Sequence, residues 1–164
     1  MKDSVGISND SNREPAVASE RQGRNRRTLA GEPIDPKRSA LMARVRDKHS
    51  KPEMVVRRIA HRLGYRFRLH RRDLPGTPDL VFPSLRKAIF VHGCFWHRHT
   101  GCARTTSPKT RRDYWAQKFA ENIKRDAQKK KLLKDRGWDV LIVWECQTFE
   151  TDSLSRRIAE FCFR

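Results

Sequence analysis

The chain has 164 residues, 37% of them hydrophobic and 34% charged, a size for one domain with at most an accessory tail. No apolar run approaches the roughly 18 residues of a membrane span, and the N-terminus MKDSVGISNDSNREP lacks the apolar stretch of a secretory signal, so a cytoplasmic protein with no membrane partner is expected. Lys and Arg number 37 against 19 Asp and Glu, a net charge of +18, and residues 39–164 hold 29 of the basic and 13 of the acidic side chains. A folded domain this basic expects a polyanion, most often nucleic acid. The blander reading is a solubility charge or a ribosome-associated protein. Four cysteines without an export signal favour metal binding over a disulfide framework.

Residues 1–36 are rich in Ser, Asn, Arg, Gly and Pro, show no period, and are expected to be a disordered basic and polar tail. Residues 37–164 are the expected folded domain. SALMARVRD predicts a short helix with Leu41, Met42 and Val45 on one side. Ser50-Lys-Pro-Glu53 reads as a capping box that uses Glu53 at the third position, opening a helix through Val55, Val56, Ile59 and Leu63 to Gly64. Tyr65–Leu69 alternates and predicts a half-buried strand. Asp79–Phe82 and Ala88–Val91 predict two strands joined through Pro83-Ser84, and residues 92–112 read as irregular. Asp113–Arg136 predicts a long helix with Trp115, Phe119, Ile123 and Ala127 at four-residue steps, stopped at Gly137. Trp138–Trp144 is the most apolar segment and predicts a central strand. A last helix over about Thr151–Phe161 packs Leu154, Ile158 and Phe161, with Cys162 in the core. The expected fold is α/β, one mixed sheet with helices on its faces.

Cys94, His99 and Cys102 are three soft ligands in a short loop, and Cys146 follows the apolar strand. Together they can make a closed Cys3His zinc site that staples the loop to the sheet. The alternative leaves Cys102 and Cys146 as ordinary small buried residues. Pro78-Asp79 opens a strand, which is half of the metal-dependent nuclease pattern. The usual acid-x-Lys on the next strand is missing, for that place reads Phe90-Val91-His92. What remains is Asp79 with His92, His97 and Asp126, a set able to hydrolyse a phosphodiester with Mg2+. For Asp126 the alternative is an ion pair with Lys129 or Lys130. Phe95 and Trp96 lie between the candidate ligands, and read either as apolar wedges for a base stack or as core. Trp115 is a candidate third aromatic, or a core partner of Phe119.

His92-Gly-Cys-Phe-Trp-His97, with GTPD at 76–79, WAQKFAENIKRD at 115–126 and GWDVLIVWEC at 137–146, closely resembles the very short patch repair (DNA mismatch) endonucleases. The resemblance covers about Lys37–Cys146. It implies a restriction-endonuclease-like fold with a structural zinc site, and nicking of one strand at T:G mismatches left by deamination of 5-methylcytosine. It implies that Asp79 and the Val91 carbonyl hold catalytic Mg2+, with His97 as the catalytic histidine and His92 and Asp126 beside it. It assigns Zn2+ to Cys94, His99, Cys102 and Cys146, and DNA contact to Phe95, Trp96 and Trp115. The acidic residue of some members lies nearer Val56, so Glu53 is left to its cap. The implied partners are mismatched double-stranded DNA and other mismatch-repair proteins, met by a monomer at the bacterial nucleoid. The competing function is a zinc-stabilised module that binds DNA without cutting it.

Overall fold

Ser50 starts the first helix whose two ends are described in the computed structural model, which describes Ala40 and residues 48–163, all within one compact unit, Gly31–Arg164. The tail expected over residues 1–36, and the helix expected around Leu41, Met42 and Val45, lie outside the described residues. Helix α1 is Lys51–Arg62. Ser50 accepts the Glu53 N–H at 3.4 Å, and Pro52 supplies a first-turn backbone already bent for a helix. The expected capping box is only half formed. The Glu53 carboxylate turns away from the cap to Arg57 and His70, because it is buried and the Arg57 guanidinium and the His70 ring face it. At the far end, Tyr65 N–H reaches the Ala60 carbonyl at 3.1 Å and Gly64 N–H reaches His61 at 2.9 Å, which closes the helix as a Schellman motif.

Four strands form one mixed sheet in the order β1 (Arg68–Leu69), β2 (Leu80–Phe82), β3 (Lys87–His92), β4 (Asp139–Trp144). The first two pairings are antiparallel and β3–β4 is parallel. β1 is shorter than expected and both its residues are exposed, although Tyr65 and Phe67 do turn inward onto Phe82. The turn between β2 and β3 is a 3-10 turn over Pro83–Leu85, closed by Arg86 in the left-handed region. β4 is the edge of the described sheet and not its centre. Helices pack on its faces, burying Val143 and half-burying Val140, Leu141, Ile142 and Trp144, so an edge strand keeps an apolar run.

Alternation divides two cores between the faces of the sheet. Leu80, Phe82, Ile89 and Val143 pack with Val56 and Ile59 of α1 and with Leu154 and Ile158. Val81, Ala88 and Phe90 point the other way, onto Leu133 and Trp138. The segment expected to be irregular contains one helical turn, α2 (Cys94–His97). Helix α3 is Arg112–Asp135, and Trp138 N–H returns to the Leu133 carbonyl at 3.0 Å across Gly137, whose φ of +73° makes that turn accessible. Its four-residue stripe does not stay inward: Phe119 is 8% exposed but Ile123 is 51%. Steps of four advance the stripe by about 40° each around a 3.6-residue helix, so by Ile123 it has rotated off the sheet. Helix α4 is Thr151–Phe163, with Leu154, Ile158 and Cys162 buried as expected and Phe161 packed at the core's margin.

Candidate active site and metal centre

The sheet register brings the site together. Leu80 pairs with Ile89 across the hairpin, so Asp79 at the mouth of β2 faces the end of β3. Its Oδ2 accepts the Val91 N–H at 2.7 Å, while Oδ1 stands 4.0 Å from His70 Nδ1. Burial pushes the Asp79 carboxyl up to about 6, with the Val91 N–H acting in the opposite sense.

One helical turn beyond β3 comes His97. Its Nδ1 lies 2.5 Å from Asp126 Oδ2. A carboxylate can only accept, so Nδ1 carries a proton, and in the neutral ring that leaves Nε2 as the acceptor. Burial acts to raise the Asp126 carboxyl, and the His97 hydrogen bond and charge overcome it, leaving the group below its ordinary value. His92 stacks on His97 with ring centres 3.9 Å apart and planes 13° from parallel. Burial, reinforced by His97, lowers His92 to about 4, so it stays neutral at neutral pH. Asp79, His92, His97 and Asp126 line one cleft of ≈ 180 Å³, together with Lys129 and Lys130 from α3. The structure therefore gathers all four residues of the expected hydrolytic set, with Val91 between them. The ion pair considered for Asp126 is also present, with Lys129 Nζ 4.0 Å from Oδ1, but His97 is its closer partner.

The four soft ligands converge as well. β3 and β4 run parallel with His92 beside Trp144, so Cys94 and Cys146, each two residues further on, emerge side by side. His99 Nδ1 lies 3.3 Å from Cys146 Sγ and 3.8 Å from Cys94 Sγ, and one ligand atom from each of the four residues, Cys102 included, falls within 4.8 Å of the others. A tetrahedral zinc with bonds of about 2.0–2.3 Å requires nitrogen–sulfur edges of about 3.5 Å, so the donor set fits zinc. All four cysteines of the chain are unpaired thiols. Burial pushes the Cys94 thiol up to about 12, which makes its thiolate dependent on a bound cation. The Arg104 N–H lowers Cys102. His99 stacks on Trp144 at 4.3 Å and 11°, which sets the ring's plane. Thr105 Oγ1 donates to the His99 carbonyl at 2.7 Å and tightens the loop.

Phe95, Trp96 and Trp115 meet in one aromatic cluster and are all half-buried, between the wedge and the core readings. Phe95 touches Trp96, Trp115 and Phe119 edge-on at 5.1, 5.6 and 5.3 Å, and so is the cluster's packed centre. Asn122 Nδ2 donates to the Trp96 carbonyl at 3.1 Å and ties this turn to α3.

Sequence reasoning missed the cluster behind Asp79. Arg57 Nη1 lies 2.9 Å from His49 Nδ1, and its Nη2 contacts Glu53 and stands 2.9 Å from His70 Nε2. Glu53 is 2% exposed. Burial lowers His70, with Glu53 opposing and Arg57 adding to the shift. His49, Glu53 and His70 are spaced closely enough for a metal, yet the Arg57 guanidinium already stands among them as their cation. The signal available in the sequence was Glu53 and Arg57 four apart, on the helix face that also carries Val56 and Ala60.

A family model described as DNA mismatch endonuclease Vsr matches residues 34–104, which include Asp79, Val91, His97 and three of the four soft ligands. The type II nicking enzyme V.XorIIP of Xanthomonas oryzae pv. oryzae is 51% identical over 122 residues, 74% of this chain and 89% of that one. The chain belongs to the DNA mismatch endonuclease Vsr family. Other members resemble it over similar spans. V.NmeAIP of Neisseria meningitidis serogroup A is 36% identical over 68% of this chain and 79% of its own. The DNA mismatch endonuclease Vsr of Escherichia coli is 38% identical over 65% and 73%. The mixed α/β sheet agrees with the restriction-endonuclease-like architecture that membership in this family brings.

Proposed function

We propose that this chain nicks one strand of duplex DNA at T:G mismatches arising from 5-methylcytosine deamination, and so starts very short patch repair. The observation that carries this reading is the single cleft in which Asp79, bracketed by the Val91 N–H, shares space with the hydrogen-bonded His97–Asp126 pair. Hydrolysis of a phosphodiester needs a water relieved of its proton and a phosphate relieved of its charge. His97 Nε2 takes the proton, Asp126 holds the ring and stabilises the imidazolium, and neutral His92 fixes the ring plane by stacking. Asp79 and the Val91 carbonyl are hard oxygen donors that suit Mg2+, which when bound would neutralise the phosphate's charge. A carboxyl raised mainly by burial, with the nearby Glu53 charge adding to it, fits that role, because a dication favours its ionised form.

Cys94, His99, Cys102 and Cys146 hold a structural Zn2+ in this reading and keep α2 rigid. Phe95, Trp96 and Trp115 meet the base stack at the mismatch, and the basic surface holds phosphates. A single nick needs one such site, so the chain works as a monomer on double-stranded DNA, at the bacterial nucleoid and alongside other mismatch-repair proteins. Among the described residues no helix is long and apolar enough to cross a membrane. Relatives named as nicking enzymes and as a mismatch endonuclease support strand nicking as the reaction.

The test is a cleavage assay on a T:G duplex and its T:A control, with Mg2+ and with EDTA, across varied flanking sequences. Mg2+-dependent nicking of T:G alone is the expected result. Equal nicking of the paired control would make the protein a nicking enzyme without mismatch preference. Binding without cleavage would leave the DNA-binding module.

A further inference from the structure

We propose that Lys129 is the cleft's phosphate ligand, placing its ammonium on a non-bridging oxygen of the DNA backbone at the nicked position; this rests on the endonuclease reading above. The place on β3 that often supplies a lysine in metal-dependent nucleases reads Phe90, Val91 and His92, and the strand's own lysine, Lys87, lies at its other end and donates to the Cys162 carbonyl. Two acidic groups, Asp79 and Asp126, face the same space, and a phosphate entering it brings more negative charge. The cations that line the cleft, among the described residues, are Lys129 and Lys130, and both come from helix α3.

Lys129 is the better placed of the two. It lies one turn after Asp126, and its Nζ stands 4.0 Å from Asp126 Oδ1, near enough to be oriented but beyond hydrogen-bond length. Its stem is laid along Gly76. A Cβ built on Gly76 would come within 2.7 Å of Lys129 Cδ, 2.9 Å of Cγ and 3.1 Å of Cβ. Gly76 is three residues before Asp79, on the loop that leads into β2. The missing side chain at Gly76 is thus the channel through which a helix lysine reaches the strand mouth. The Lys129 side chain is 32% exposed, against 77% for Lys131 two residues on, so much of its conformational freedom is already lost before DNA arrives. A pre-positioned charge of this kind acts where charge builds up on the reacting phosphate.

The experiment uses the full chain with Lys129→Met, Lys129→Arg, and Lys131→Met as a surface control. Single-turnover nicking with Mg2+ should fall at least about tenfold in Lys129→Met, recover most of its rate in Lys129→Arg, and stay at the parental rate in Lys131→Met. A second arm measures duplex affinity in EDTA, with an ordinary or a methylphosphonate linkage at the mapped nick site. The methylphosphonate should weaken the parent and leave Lys129→Met unaffected, because the contact it removes is already gone. If Lys129 serves only as an ion-pair partner of Asp126, the methylphosphonate weakens both proteins equally, and the proposal is overturned. Parental nicking rates in Lys129→Met overturn it too. If the parent nicks no duplex at all, the endonuclease reading has failed and takes this proposal with it.

Discussion

At the scale of single residues, the site works by opposing environments. Asp79 is buried with one backbone donor, whereas Asp126 is matched to a histidine, so one carboxyl rises and the other falls. Their replacement should separate binding from chemistry. Asp79→Ala should abolish nicking while duplex affinity in EDTA survives, and His97→Ala should cost roughly 10²–10⁴ in rate, the span of a general base. Near-parental nicking by either variant would remove that residue from the mechanism. The Asp79 carboxyl, raised to about 6 from 3.8, also couples pH to stability. The folded chain holds that proton more tightly than the unfolded chain does. The stabilisation is therefore complete below the unfolded value and is lost as pH rises through about 6. A dication binds the ionised form and makes up the loss. Thermal melts with and without Ca2+ should then show a small shift at pH 5 and a larger one at pH 7.5, and Asp79→Asn should show little at either. Equal shifts in the parent at both pH values would mean that the cation does not sit on Asp79.

At the scale of elements, the register of two parallel strands does the assembly. β3 and β4 end together, so Cys94 and Cys146 are delivered as neighbours although 51 residues of chain separate their backbones. Zinc binding should accordingly join the loop to the sheet. Cys146→Ser should release zinc from the purified protein and lower its melting temperature. Less than about half an equivalent of zinc in the parent, with an unchanged melt in the variant, would show the four ligands to be an empty coincidence. Helix α3 offers a second measurement. Phe119→Ala removes a buried ring from the aromatic cluster and should cost about 3 kcal/mol, whereas exposed Ile123→Ala should stay within about 0.5 kcal/mol. Equal costs in denaturant titrations would place Ile123 back on the packed face.

At the scale of the whole molecule, affinity and discrimination have separate sources. The net charge of +16 over residues 39–164, from 29 basic and 13 acidic side chains, attracts phosphates without reading sequence. Discrimination needs a local device, and Trp96 is the candidate. It sits on α2 between Cys94 and His99 and is pinned to α3 through Asn122. A wobble pair stacks imperfectly, so an inserted ring opens it at lower cost than a Watson–Crick pair. Trp96→Ala should keep salt-dependent affinity for paired duplex and lose most of its preference for T:G over T:A. Unchanged discrimination would move recognition to hydrogen bonds with the wobble pair. Phe95 touches three rings, so its replacement should lower stability as well.

By itself the sequence determined what local chemistry can encode. Ser50, Pro52 and Gly64 bound α1, and Gly137 ends α3, because caps and left-handed turns depend on one or two residues. The dense string from His92 to Cys102 marked three candidate ligands by soft donors at short spacing, and the fold brings them within 4.8 Å of one another and of Cys146. The tertiary structure alone decided what depends on partners distant in the chain. Trp138–Trp144 has the same apolar composition at a sheet's edge as at its centre, once helices cover its faces. The four-residue step of α3 turns the stripe, but where along the helix it leaves the packed face, between Phe119 and Ile123, depends on the line of contact with its neighbours. Glu53 could be read as a cap because its sequence neighbours permit one. Only packing shows Arg57 and His70 closing over it, and a buried carboxylate goes to the guanidinium and ring that enclose it in preference to a backbone N–H at the surface.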